Sequence, residues 1–407
     1  ITCRDWSSDV CSSDLNFHYA SKLLQFDSLY GSILDGCSID GKGEIDFAQK
    51  PSRYALAADL RNLDLNNLVA GTFSTDLTGR VELNGTSFSG KNLVLDLDVD
   101  LFESSFDDFP IQQASGQMII TTDSLVFPDS CRVDYFENVF WATGVIDYRD
   151  EMDLFVQVDL NNLDRYRQTR FFIDEPGGRG YAEVSLTGPT KDPDLRGWFV
   201  SDSAWIYGLY ADSLYATVDL QRFLTGRQGG VEVWFDSGAA WGLPYDTAYT
   251  RLVIDSNLVY ADSLLMRNPY ITLTGSSVLD YLAEPQQLRI FDADIDLLGR
   301  RFRNPEELLI EVDDGGFRFN RAEIGDAGSR LSLNGRVNYD ESMDLRLAID
   351  QLPIAPWLHI FDSTLQIDGY LSTEADIDGT FREPEFNFAG RIDSLPYRGL
   401  KLGDVSA

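Results

Sequence analysis

Along most of this chain, apolar and polar side chains alternate one for one. The stretch "NLVLDLDVDLF" shows it most clearly, with Leu95, Leu97, Val99 and Leu101 on one parity and Asp96, Asp98 and Asp100 on the other. The same alternation runs through "YALAADLRNLDL", "DLFVQVDL", "YAEVSLTG", "GVEVWFD" and "DLRLAIDQL". Successive side chains of a β-strand point to opposite faces, so each segment presents one apolar face and one polar, often acidic, face. Strands buried in a parallel α/β sheet would instead be apolar throughout. The runs end in Asn, Asp, Gly or Pro, and helical periodicity is almost absent. The pattern predicts an all-β protein of one-sided antiparallel strands.

A short phrase recurs within this pattern: a Gly, an alternating strand with an aromatic, a polar turn, and a second alternating strand. It reads "GEIDFAQKPSRYALAADL" from Gly43, "GVIDYRDEMDLFVQVDL" from Gly144 and "GRVNYDESMDLRLAIDQL" from Gly335; a looser copy starts at Gly275 and reaches its aromatic at Tyr281. The phrase predicts a β-hairpin in which Tyr148 or Tyr339 closes the first strand, "RDE" or "DES" connects, and Leu154 or Leu345 opens the return strand. Gly in its leading place suits a bulge or a close backbone approach. A second phrase follows, "LTGPTKDPDLRGWFVSDSAWIYGLYADSL" and "IDGTFREPEFNFAGRIDSLPYRGLKLGDV". Gly144 and Gly335, Gly188 and Gly379, Pro193 and Pro384, and Gly208 and Gly399 are each 191 residues apart (335 minus 144, and so on). Four landmarks in one register mark a duplication, about 144–212 and 335–404. Two breaks interrupt the strands: "LDRYRQTRFFIDEPGGRG", in which "GGRG" reads as a flexible turn, and "LPIAPWLHIFDS", which suits a brief helical turn. No linker divides the chain, so residues 16–407 read as one continuous repetitive β region.

Composition narrows the chemistry. A formal charge of −33 repels phosphate backbones, which excludes nucleic acid as a partner, and it discourages sheet edges from pairing. No run approaches the ~18–20 apolar residues of a membrane-spanning helix. In "DLDVD" the carboxylates fall about 7 Å apart on one outward strand face, whereas calcium loops wrap their ligands around a turn. Residues 38–49, "SIDGKGEIDFAQ", approach a calcium-binding loop, but Lys42 takes a ligand position and Gln49 replaces the bidentate acid. His18 and His359 lie far apart, and Cys3, Cys11, Cys37 and Cys131 form no C-x-x-C pair. There is no nucleophile elbow, phosphate loop, H-E-x-x-H or dinucleotide fingerprint. The expectation is a protein that is not an enzyme and uses no metal or cofactor.

The opening stretch stands apart. Residues 5–15, "DWSSDVCSSDL", have no period of 2 or 3.6, and their codons can be chosen to spell a widely used short-read sequencing adapter. Residues 1–15 are therefore expected to be non-native and the chain to be an internal fragment. Cys37 and Cys131 then remain as the native cysteines, free to pair in an oxidising compartment.

The phrases "LTGPTKDPDLRG" and "IDGTFREPEFNFAG", the following "IYGLYADSL" and "YRGLKLGDV", and the "DSLVF…ATGVIDY" and "FRFN…LNGRVNY" hairpins resemble the AsmA-like superfamily. They are most similar to the TamB family of translocation and assembly module proteins, over roughly residues 35–407. That resemblance implies an elongated, twisted, repetitive sheet curled into an open groove with an apolar interior. It implies a protein of the periplasm of double-membraned bacteria, held in the inner membrane by an anchor outside this chain. Its implied roles are phospholipid transport to the outer membrane and outer-membrane protein translocation and assembly. Phospholipid acyl chains and an outer-membrane barrel protein are the implied partners, and no catalytic residue transfers.

The candidate groove lining is Leu95, Leu97, Val99, Leu101, Leu154, Val156, Val158, Leu345, Leu347 and Ile349. Alternation alone fits the core of a closed sandwich equally well. Three readings therefore stand side by side: a lipid-conducting bridge, a non-catalytic structural or adhesin-like β protein with a closed core, and a chaperone whose free sheet edge pairs with peptide.

Overall fold

Nearly every residue that alternates in the sequence lies in a β-strand of the computed structural model. The structure describes residues 12–406 apart from 34–36, 65–73, 89, 107–108, 162–176, 207–208, 227, 241–242, 298, 340–341, 356–367, 381–382, 394–395, 398–399 and 402–404. His359 and most of the second break thus lie outside the described residues. The chain divides into two units, one of residues 1–171, 175–204 and 219–225, the other of 172–174, 205–218 and 226–407.

In the first unit the strands pair antiparallel in chain order, from Ser12–Ala20 through Leu23–Ile33, Cys37–Asp46, Arg53–Leu63, Thr75–Thr86, Val94–Phe106 and Phe109–Thr121. The order continues through Ser124–Tyr135, Asn138–Asp147, Glu151–Leu160 and Gly177–Pro189. In the second unit the meander runs from Gln228–Ala240 through Leu243–Asp255, Leu258–Arg267 and Ile271–Asp280. The next two strands are each broken, into Gln286–Ile290 with Asp294–Leu297 and Arg300–Arg303 with Leu308–Asp313. Asn304 bridges both breaks. Its Oδ1 accepts the Ala293 N–H at 2.7 Å, and its Nδ2 donates to the carbonyls of Phe291 and Glu306 at 2.9 and 2.8 Å. Regular pairing resumes through Gly316–Gly325, Arg330–Asn338, Ser342–Pro353, Tyr370–Thr380 and Pro384–Asp393.

The duplication is structural as well as sequential. A shift of 191 carries Asn138–Asp147 onto Arg330–Asn338, Glu151–Leu160 onto Ser342–Pro353 and Gly177–Pro189 onto Tyr370–Thr380, each within two residues. Registers match too: Leu154 faces Gly144 and Leu186, and Leu345 faces Gly335 and Ile377. The leading glycines make the close approach that their position suggests. At Gly144 (φ +132°) and Gly335 (φ +122°) a Cβ would lie 2.1 Å from the carbonyl oxygen of Asp153 or Asp344.

Three local expectations need correction. The first strands end at Asp147 and Asn338 and the return strands begin at Glu151 and Ser342, because the ladder closes earlier: the N–H groups of Tyr148 and Tyr339 donate back to the carbonyls of Asp123 and Gly315. "GGRG" is the start of a strand, not a turn; a Cβ on Gly178 would sit 2.0 Å from the Ser203 oxygen, so glycine there permits strand contact. Ser12–Leu15, which show no period, pair with Leu29–Ser32, since backbone groups satisfy one another whatever side chains they carry. Cys37 and Cys131, for which the sequence leaves pairing open, are both free and buried.

Two stability effects follow from the polar side of these sheets. Asp40 lies opposite Asp59, and Glu82 opposite Asp98, and like charges in facing positions repel. Raising NaCl from about 10 mM to about 0.5 M, which shortens the screening length several-fold, is expected to raise the melting temperature; an unchanged or lower value would contradict this. Asp294 is held by Arg301 (Nε to Oδ1, 2.7 Å) and by Arg303 (3.0 Å), hydrogen bonds that pull its carboxyl below the usual carboxylate range. A depressed folded pKa gives stability that is present above the unfolded value of about 3.9 and is lost as pH falls through the folded one. Asp294→Asn should therefore flatten the acid limb of the stability profile below about pH 4, as urea titrations across that range will show.

Candidate apolar binding face

All ten candidate lining residues lie on strands, and within each segment they share one face. Facing residues of an antiparallel pair lie on the same side of the sheet, so the registers extend each set sideways into continuous rows. Val99 stands opposite Val81 and Gly116, and Val81 opposite Ala58, which faces Gly41. Beyond Gly116, where an added Cβ would meet the Cys131 side chain, Cys131 faces Ala142, which faces Val156, which faces Val184. This central row crosses nine strands, about 38 Å at the usual strand spacing, and holds nothing larger than valine.

Rows that include larger side chains flank it on both sides, about 7 Å away along each strand. On one side Leu97 stands between Leu83 and Met118, and Leu154 faces Leu186. On the other side Leu101 faces Ala114, and Val158 stands between Phe140 and Ala182. The first unit thus carries a trough lined by carbon, the Cys131 thiol and the Met118 thioether. Burial pushes the Cys131 thiol up, with the Asp98 carboxylate adding to the shift, and the thiol contacts the Gln117 carbonyl at 3.2 Å.

In the second unit Leu345 belongs to a long row through Gly335, Phe319, Ile310, Leu288 and Leu279 on one side and Ile377 and Phe386 on the other. Leu347 stands between Leu333 and Ala375, and Ile349 faces Leu331. Ile349 and Leu331 pack against a buried group of Leu297, Phe302 and Leu352.

Within each unit the main contacts among the described strands are between hydrogen-bonded neighbours, and side chains also meet across unpaired strands, as where Leu352 joins Leu297 and Phe302. Most side chains of the apolar face are half-buried; Val99 is buried, at 8% exposed, and Phe386 and Phe388 are each 62% exposed.

The opposite face is polar. It carries ion pairs such as Arg80 with Glu82 at 2.8 Å and Arg346 with Asp376 at 2.9 Å, and a ladder of Tyr215, Trp234 and Tyr249 whose ring centroids lie 5.4 and 5.3 Å apart. Residues 38–46, which approach a calcium loop in sequence, lie within the regular strand Cys37–Asp46. Among the described residues no three His, Cys, Asp or Glu side chains converge on a metal position, and no helix is long and apolar enough to cross a membrane.

Sequence reading missed the residues that join the segments: Leu83, Met118, Leu186, Phe319, Ile377 and the glycines between them. Their alternation was visible, but the register that aligns them was not. No protein-family model, curated protein or solved structure matches this chain.

Proposed function

We propose that this protein carries diacyl phospholipid along its apolar face, as a periplasm-spanning bridge of the kind its repeats resemble, between the inner membrane and the outer membrane. The anchor, the outer-membrane barrel partner and a role in outer-membrane protein assembly belong to the same reading. The observation that carries it is, within each unit, a continuous apolar face most of whose side chains stay half-buried. Leaving such a face in water is unfavourable, and so is leaving lipid tails in water. At about 0.8 kcal/mol per methylene, a lipid with ~30 methylenes costs on the order of 20 kcal/mol to expose. A trough flanked by leucines lowers both costs at once, while headgroups stay in solvent. A structural protein with a closed core would bury these same side chains against a second layer.

The test is solvent extraction of the purified chain after detergent-free preparation. Diacyl lipid in at least equimolar amount supports the proposal. An empty extract, with no uptake of phospholipid from added vesicles, contradicts it, and a tightly held unfolded peptide in place of lipid favours the chaperone reading.

A further inference from the structure

The 191-residue repeat places two equivalent stretches of apolar face in the chain, one in each unit, and the central row differs between them. Cys131, Ala142, Val156 and Val184 of the first unit correspond to Ala322, Leu333, Leu347 and Ala375 of the second. The registers are the same in both: Cys131 faces Ala142 as Ala322 faces Leu333, and Val156 faces Val184 as Leu347 faces Ala375. At the two middle positions alanine and valine are replaced by leucines, which face one another directly. The floor of the row is therefore raised there by a two-leucine sill, with an alanine on either side.

Resting on the lipid-carrying reading above, we propose that the two copies are paired acyl-chain stations, and that the Leu333–Leu347 sill makes the station of the second unit the weaker one. An acyl chain lying across the strands follows the small side chains of the first station along its floor. At the second it must ride over the two leucines, so methylenes beside them keep contact with water. Each methylene left in water weakens binding about fourfold. Two stations of unequal strength in one chain let a lipid be held at one and given up at the other.

Cys131 and Ala322 occupy the same place in the two stations, which provides matched probes. With Cys3, Cys11 and Cys37 replaced by alanine, the native Cys131 is compared with an Ala322→Cys, Cys131→Ala chain. Each is titrated with monomeric short-chain diacyl phosphatidylcholine while its modification by methyl methanethiosulfonate is followed. Both thiols are expected to be protected, Cys131 at a concentration about fourfold lower or more. Leu333→Ala with Leu347→Val should bring the position-322 curve onto the position-131 curve. Because those substitutions remove packing, the converse pair, Ala142→Leu with Val156→Leu, is measured as well and should weaken protection of Cys131. Protection at one position only, or equal protection that neither pair of substitutions alters, overturns the paired-station proposal while leaving the lipid reading intact. Absence of protection at both positions overturns the lipid reading itself, and the stations with it.

Discussion

Gly144→Ala and Gly335→Ala are each expected to destabilise the protein by about 3 kcal/mol or more. Both glycines hold φ beyond +120°, and an added Cβ would stand 2.1 Å from a backbone oxygen of the facing strand. Neither problem can be relieved by a rotamer change, because the obstructing atom is main chain and the dihedral is fixed by the ladder on either side. Gly275, which leads the looser copy of the same phrase, supplies the control. Its φ is unexceptional, and a Cβ there would come no closer than 3.2 Å to the Asp292 oxygen, so Gly275→Ala should cost less than about 1 kcal/mol. Urea unfolding followed by tryptophan fluorescence reads all three. Equal costs at positions 144 and 275 would show that close strand approach is not what the repeated glycine serves.

The second large effect concerns binding. Val156→Asp is expected to lower phospholipid affinity more than tenfold, since an acyl chain laid on the central row would strip water from the new carboxylate. The fold should survive, because Val156 is only half-buried. Burial under lipid raises a carboxyl pKa, so binding should recover on acidification toward about pH 5. That recovery separates direct contact from general loss of structure. Ser185→Asp, on the polar side of the facing strand and opposite Phe155, should leave lipid binding unchanged. Equal loss from both substitutions, or loss without recovery at low pH, would contradict the assignment of faces.

The two faces of each strand were legible in the sequence because period two is a local property, and Asp96, Asp98 and Asp100 leave no doubt about which side of that segment meets water. Hairpins and the 191-residue duplication were legible for the same reason, since landmarks such as Gly144 and Gly335 recur at fixed distance. What joins segments was not legible. Gly116 meets Cys131 only because the chain bulges between Phe127 and Cys131, and a one-residue slip would have brought another side chain there. The broken strands around Asn304 depend on one amide reaching four backbone groups, which no periodicity announces. Tyr245 reads as one more strand aromatic, yet it is almost fully buried. Its hydroxyl donates to the Tyr210 carbonyl at 2.7 Å, and burial pushes its phenol up to about 12. Nor could alternation say whether the apolar face meets a second layer, because a groove and a sandwich use the same pattern on a single strand.

The most direct test of the lipid-carrying face compares neighbouring residues that point to its two sides. Photo-crosslinking side chains are placed singly at Leu97 and Asp98 in the first unit, and at Leu347 and Arg346 in the second, and adducts are identified by mass spectrometry after irradiation in a native envelope. Phospholipid adducts at positions 97 and 347, with none at 98 and 346, are the predicted result. Lipid adducts at all four positions, or at none, would contradict the account.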